Sequence, residues 1–344
     1  MKRESILLIL ILVFLPSFVC SQVPEWHSEL VLKIPFGDGE GEFAADRHSR
    51  SIENFIAEAQ SFVWDYYVDS KRVYITDAYR REVKIYELDN GKFVKAIPLL
   101  RPEGDRRVPG ERLWGAEDMV VLGDTLYILL SLSSIQPDNL SCYSIYTYDI
   151  VSGNPITRCR IYNRWLGTDP DFKKYPVRMM GLTWLSTGSN GDLYVYDRAR
   201  HRSIRIFSRG RPTAKEEHKV GIAGRVCGDR RYYWRGEEGK TLVLSGMSGE
   251  NVCEAIQLSW SEISPNGEYL LCYSSESNSS ERGSVFYVYR YDGKSIGKVI
   301  FNYRNGRKSI GVPYGHGNLF ISNEGSVYRY NVYDDGVYLY RWLR

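Results

Sequence analysis

Past residue 60 the chain carries no sustained helical periodicity, which points away from a helical fold. It is also poor in net charge. The formal +3 becomes +2 once Lys2, Arg3 and Glu4 leave with an N-terminal leader, far short of the basic excess a nucleic-acid-binding surface needs. Beyond that leader no segment is apolar enough to cross a membrane. The five histidines (His27, His48, His201, His218, His316) include no pair at zinc-ligand spacing. Gly246-Met247-Ser248-Gly249 is one glycine spacing short of a nucleophile elbow, so neither a histidine metal centre nor an activated serine can be read here.

What is abundant is aromatic. The chain has 27 Tyr, 12 Phe and 8 Trp, residues that favour strands. Runs such as Val285-Phe286-Tyr287-Val288-Tyr289 are β-prone throughout, and the chain reads as all-β. One strand–turn–strand unit occurs twice, as VYITDAYRREVKIY from Val73 to Tyr86 and as LYVYDRARHRSIRIF from Leu193 to Phe207. In each, an alternating strand ends in Asp, a basic turn follows, and a second alternating strand ends in an aromatic. Repeated β units cannot bury their faces alone and must stack around an axis, so the repeat predicts a propeller.

Turn signals divide the chain into six four-strand groups of roughly 50 residues, as expected of blades. The groups cover 61–100, 115–162, from 181 onward, 223–260, 261–301 and 309 to the end. The predicted architecture is a six-bladed β-propeller of four-stranded antiparallel blades, forming one domain over 22–344. A strand at Leu30–Phe36 is expected to pair with the last blade, and one short helix is expected near Ser51–Ala59.

These patterns resemble the NHL-repeat family of six-bladed propellers. The resemblance rests on Tyr74-Ile75-Thr76-Asp77 followed by Val83-Lys84-Ile85-Tyr86 and Gly91-Lys92-Phe93, and on Tyr194-Val195-Tyr196-Asp197 followed by Ile204-Arg205-Ile206-Phe207. The opening Ile34 to Phe43, with Gly37-Asp38-Gly39-Glu40-Gly41, is similar to the lead-in of exported bacterial members. The Asn-x-Arg usual in the family's turn is replaced by Tyr79-Arg80-Arg81 and Arg200-His201-Arg202. Gly37–Gly41 lacks the helix of a phosphate cradle and the ligand spacing of a calcium loop, and reads as a lead-in loop.

The N-terminus has a charged start, an apolar run from Ile6 to Phe14 and small residues at Val19-Cys20-Ser21, the parts of a signal peptide over 1–21. Export to the periplasm, cell surface or medium is expected. A lipid anchor at Cys20 is the alternative and the only expected membrane attachment. Of the other cysteines, Cys142 and Cys159 flank a hairpin and could pair, Cys227 with Cys253 is a second possible bridge, and Cys272 reads as a buried thiol.

In a propeller, ligands meet the loops that enter the innermost strands. Those loops are expected to carry Glu58, Trp114, Glu117, Asp118, Arg178, Arg225, Tyr314 and His316. Arg225, Arg231 and Trp234 belong to a basic–aromatic run suited to an anionic glycan or an acidic protein surface. The first functional expectation is a monomeric, non-catalytic protein- or glycan-binding module that requires no cofactor. The second is a hydrolase resembling sugar lactonases, in which Glu58, Glu117 and Asp118 hold Ca²⁺ to polarise a carbonyl.

Overall fold

Strands buried on both faces lose simple polar–apolar alternation, and the second strands of the sheets show this. In the computed structural model Val73, Tyr74 and Ile75 are consecutive and all buried. The structure describes residues 23–44, 65–77, 80–100, 114–133, 141–162, 182–188, 190–197, 202–219, 222–227, 230–237, 240–245, 250–255, 262–274, 284–301, 319–333 and 335–344. The helix expected near Ser51–Ala59 lies outside them.

After β1 (His27–Pro35), a first antiparallel sheet holds β2 (Tyr66–Val68), β3 (Arg72–Asp77), β4 (Glu82–Glu87) and β5 (Phe93–Pro98). The second holds β6 (Trp114–Leu122), β7 (Thr125–Ser133), β8 (Ser141–Asp149) and β9 (Pro155–Tyr162). The third holds β10 (Leu182–Thr187), β11 (Leu193–Asp197), β12 (Arg202–Ser208) and β13 (Arg211–Lys219). The fourth holds β14 (Ile222–Cys227), β15 (Arg230–Glu237), β16 (Lys240–Ser245) and β17 (Glu250–Ala255). The fifth holds β18 (Glu262–Ile263), β19 (Tyr269–Tyr273), β20 (Ser284–Arg290) and β21 (Ser295–Phe301). The last holds β22 (Leu319–Ile321), β23 (Val327–Tyr333) and β24 (Gly336–Leu343), with β1 as its fourth strand.

The molecule is thus a β-propeller with four-stranded antiparallel blades. Each sheet's first strand lies innermost: β2 touches β6 and β22, β6 touches β10, β10 touches β14, and β18 touches β22. Between the fourth and fifth sheets, Gly267 takes φ +73° in a turn closed by its N–H donating to the Ser264 carbonyl at 2.8 Å, and its backbone packs on Cys227. A Cβ there would stand 2.5 Å from the Cys227 carbonyl oxygen. The apolar core lies between sheets; one cluster joins Ile85 and Ile97 of the first to Leu129 and Ile145 of the second and Leu193 and Ile204 of the third.

The two chain ends close the ring. β1 pairs antiparallel with β24 from His27↔Leu343 to Pro35↔Gly336, extending the expected terminal strand toward the N-terminus. Immediately before it, Trp26 N–H donates to the Lys298 carbonyl at 2.8 Å and Lys298 N–H to the Pro24 carbonyl at 2.9 Å, a short parallel bridge onto the fifth sheet. The buried Trp26 indole lies over Gly297, where a Cβ would fall 2.0 Å from Nε1.

The Gly37–Gly41 lead-in is fastened to the first sheet by cations aimed at its carbonyls. Arg80 donates to the carbonyls of Gly39 (2.6 Å) and Gly37 (2.7 Å), and Lys84 to that of Glu40 (2.6 Å). Lys84 is fully buried, 2.6 Å from Glu82 and 3.9 Å from Asp77. Asp77 Oδ1 accepts the Arg80 N–H at 3.0 Å, so this repeat aspartate fastens a turn.

The cysteine pairings are corrected. The register sets Cys142 opposite Tyr162 and Cys159 opposite Ile145, so the two are three residues apart along the hairpin, about 10 Å. That is beyond disulfide reach. Cys227 and Cys253 stand on the two opposite edges of the fourth sheet, and Cys227 is a buried thiol outside any disulfide. Cys272 is also a buried thiol outside any disulfide, as expected.

Trp26→Ala should lower unfolding free energy by about 3–5 kcal/mol, the range for truncating a buried aromatic. Chemical denaturation measures it, and an unchanged midpoint would contradict the docking of this segment.

Candidate functional site

An axial cavity of about 60 Å³ is lined by residues from all the innermost strands or their immediate flanks. Asp65 and Tyr66 come from the start of β2, Asp118 and Met119 from β6, Trp184 and Leu185 from β10, and Cys227 from the end of β14. Glu262 and Leu319 open β18 and β22. The first, second and fifth sheets therefore each bring an acid to the axis, and the third and last bring apolar or aromatic residues.

Asp118 links two sheets. Its Oδ1 accepts the Met119 N–H at 2.8 Å and its Oδ2 accepts the Leu185 N–H at 2.6 Å, across to β10. Hydrogen bonds from amides to a carboxylate are among the stronger kind, so this side chain ties adjacent inner strands.

Asp65 is held differently. Its backbone is locked to β3: its N–H donates to Thr76 Oγ1 at 2.9 Å, and its carbonyl accepts from Thr76 N–H (3.0 Å) and Oγ1 (2.9 Å). The residue is only 7% exposed, and Oδ2 is buried with no hydrogen-bond partner. Burial pushes its carboxyl well above the usual carboxylate range. The nearby charges of Asp118 and Glu262 push the same way, against the amides of Tyr66 and Met119.

Aromatic rings complete the wall. Trp184 stacks on Tyr196 at 5.2 Å and 20°, Tyr66 meets Tyr330 edge-on at 5.4 Å, and Tyr67 meets Phe320 at 5.2 Å. The Tyr66 hydroxyl donates to the Tyr328 carbonyl at 2.9 Å. Burial pushes the Tyr66 and Tyr330 hydroxyls well above their ordinary range, opposed only in part by the charge of buried Arg329, which lies over the Phe301 ring at 4.9 Å.

The expected site residues fall into two sets. Glu58, Arg178, Tyr314 and His316 lie outside the described residues. The others are strand residues, which corrects their expected loop positions. Trp114, Glu117 and Asp118 belong to β6, which extends over Trp114-Gly115-Ala116 by pairing with Leu132, Ser131 and Leu130. Glu117 is the extra residue where the register shifts between Ala116 and Asp118. Arg225 lies in β14 opposite Tyr232. In β15, Arg231 is opposite Val226 and Trp234 opposite Ile222.

Among the described residues, Asp118 of the expected set lines the cavity, beside Asp65, Trp184 and Glu262, which were not anticipated. The available signal was an acid immediately before a β-prone apolar pair, as in Asp65-Tyr66-Tyr67 and Asp118-Met119-Val120. Among the described residues no group of three or more His, Cys, Asp or Glu could hold a metal ion.

No family model matches the sequence, and no curated protein matches it. Solved structures resemble its fold. The chain aligns with a streptogramin B lyase at 9% identity and TM-score 0.45, over 92% of this chain and 98% of that one. It aligns with the PQQ-bound aldose sugar dehydrogenase of Streptomyces coelicolor at 8% identity and TM-score 0.47, over 93% and 99%. With Kluyveromyces lactis Hsv2 the values are 14% and 0.39, over 78% and 71%. At these identities the likeness concerns the propeller architecture alone.

The Asp65 environment sets a pH dependence. An acid whose folded pKa is raised adds stability below its unfolded value and loses it as pH rises through the folded one. The wild-type melting temperature should therefore fall as pH climbs from about 4, near the ordinary value of 3.8. Asp65→Asn should flatten that slope and melt no lower than wild type at neutral pH. A parallel slope in the variant would contradict the assignment.

Proposed function

We propose that this chain is an exported, six-bladed propeller of the NHL-like kind that serves as a monomeric binding module for a protein or glycan. The observation that carries this reading is the narrowness of the axis. A cavity of about 60 Å³ is several-fold smaller than the sites that enclose drug-sized ligands, so a large partner must be engaged from the faces of the ring. The segments before the innermost strands, with Arg178, Tyr314 and His316, are then the natural contact points, as loops on a rigid scaffold commonly are. The strand positions of Arg225, Arg231 and Trp234 make these residues more suitable for framing such a surface than for forming it.

Cross-linking of the mature chain, residues 22–344, in its native extract followed by mass spectrometry would identify the partner, and titration calorimetry would measure its affinity. The triple variant Arg178→Ala, Tyr314→Ala, His316→Ala should weaken binding by at least tenfold, the scale set by losing one or two hot-spot contacts, without shifting the melt. Release of a chemically altered ligand on incubation would overturn the non-catalytic reading. Undiminished affinity in the triple variant would overturn the choice of surface.

A further inference from the structure

We propose that the axial cavity is a receptor for one small organic cation, a primary ammonium or guanidinium group. This goes beyond the binding-module reading and stands without it, because it concerns the channel and not the loops.

Three observations converge. Carboxylates reach the cavity from three different inner strands or their flanks, through Asp65, Asp118 and Glu262. One of them presents an unsatisfied acceptor: Asp65 is 7% exposed, and its buried Oδ2 has no hydrogen-bond partner. Leaving such an atom unpaired is costly, so a donor placed there is favoured. The remaining wall is aromatic, with Tyr66, Tyr67, Trp184 and Phe320 all lining the same space. Ring faces attract a cation electrostatically, and the attraction grows when water is excluded.

The chemistry and size select the ligand. Among the described residues no cluster of three acids, histidines or cysteines stands close enough to ligate a metal ion. An ammonium or guanidinium reaches its acceptors through N–H bonds and can bridge carboxylates set further apart. A volume of about 60 Å³ holds such a head group and little more. Asp118 keeps its amide bonds to Met119 and Leu185 and adds charge, while Asp65 supplies the free lone pair.

Occupation should be coupled to protons. Asp65 is held toward its neutral form by burial and by the charges of Asp118 and Glu262. An entering cation favours the carboxylate, so binding releases a proton and tightens as pH rises toward neutrality.

Titration calorimetry of the mature chain with methylammonium and methylguanidinium tests this, with sodium, magnesium and calcium chlorides and uncharged acetamide as controls. At least one organic cation should bind at one site per chain, more tightly at pH 8 than at pH 5. Its heat should vary with the buffer's ionisation enthalpy. Asp65→Asn should retain a cooperative melt yet lose affinity by about tenfold or more, the scale of one charge-assisted hydrogen bond. Parallel titrations with N-acetyl-lysinamide and N-acetyl-argininamide distinguish the source. Binding of these assigns the group to a partner's side chain, whereas binding of the small cations alone assigns it to a free amine.

No heat from either small cation with folded wild type would overturn the proposal. So would equal affinity in Asp65→Asn. Calcium or magnesium binding that the amines fail to compete with would replace it with a metal site. None of these results depends on capture of a protein or glycan at the rim, so failure here and failure of the binding-module reading are separately visible.

Discussion

Everything in this molecule depends on closing the ring. Each sheet has two faces to bury and can bury them only against its neighbours, so an open arc would leave an apolar face in water at both ends. The pairing of β1 with β24 prevents this by making the first strand of the chain the outermost strand of the last sheet. The bridge from Pro24–Trp26 to Lys298 extends the same fastening to the fifth sheet. Loss of this seam would release sheets whose cores, such as the cluster of Leu271, Phe286, Val299 and Trp342, span the junction.

Closure has an electrostatic consequence at the axis. Bringing the inner strands together forces the residues that line the axis into a shared small space. In the first, second and fifth sheets one of those residues is an acid, and the ring turns three separate carboxylates into mutually influencing groups. Asp118 offsets its desolvation by accepting two backbone amides and joins β6 to β10. Asp65 has a buried oxygen left over. Burial of such a group costs stability, and a cost retained at the centre of a ring is the kind of local compromise expected where a fold serves a ligand.

Much of the frame was legible in the chain. The two Asp-ended repeats mark second and third strands of their sheets, Asn90-Gly91 marks a hairpin, and the terminal strand's role follows from the need to close. The lead-in loop was readable too, because Gly37–Gly41 lacks the surroundings of a phosphate or calcium loop. Its partners were not, since Arg80 and Lys84 look like ordinary turn and surface cations until the loop folds over them. The site was the less legible part. Trp114, Glu117 and Arg225 stand among polar or glycine-containing residues that suggest loops, yet inner-strand pairing extends over them.

By itself the sequence determined the all-β class, the four-strand grouping and the turns, because these depend on local periodicity and on residues that reverse the chain within a few positions. Only the tertiary structure decided which cysteines remain apart, which acids meet and how narrow the axis is. Asp65, Asp118, Trp184 and Glu262 are separated by dozens to hundreds of positions, and no local pattern encodes their meeting. Their proximity follows from the register and curvature of the closed ring, which depend on packing between sheets distant in sequence.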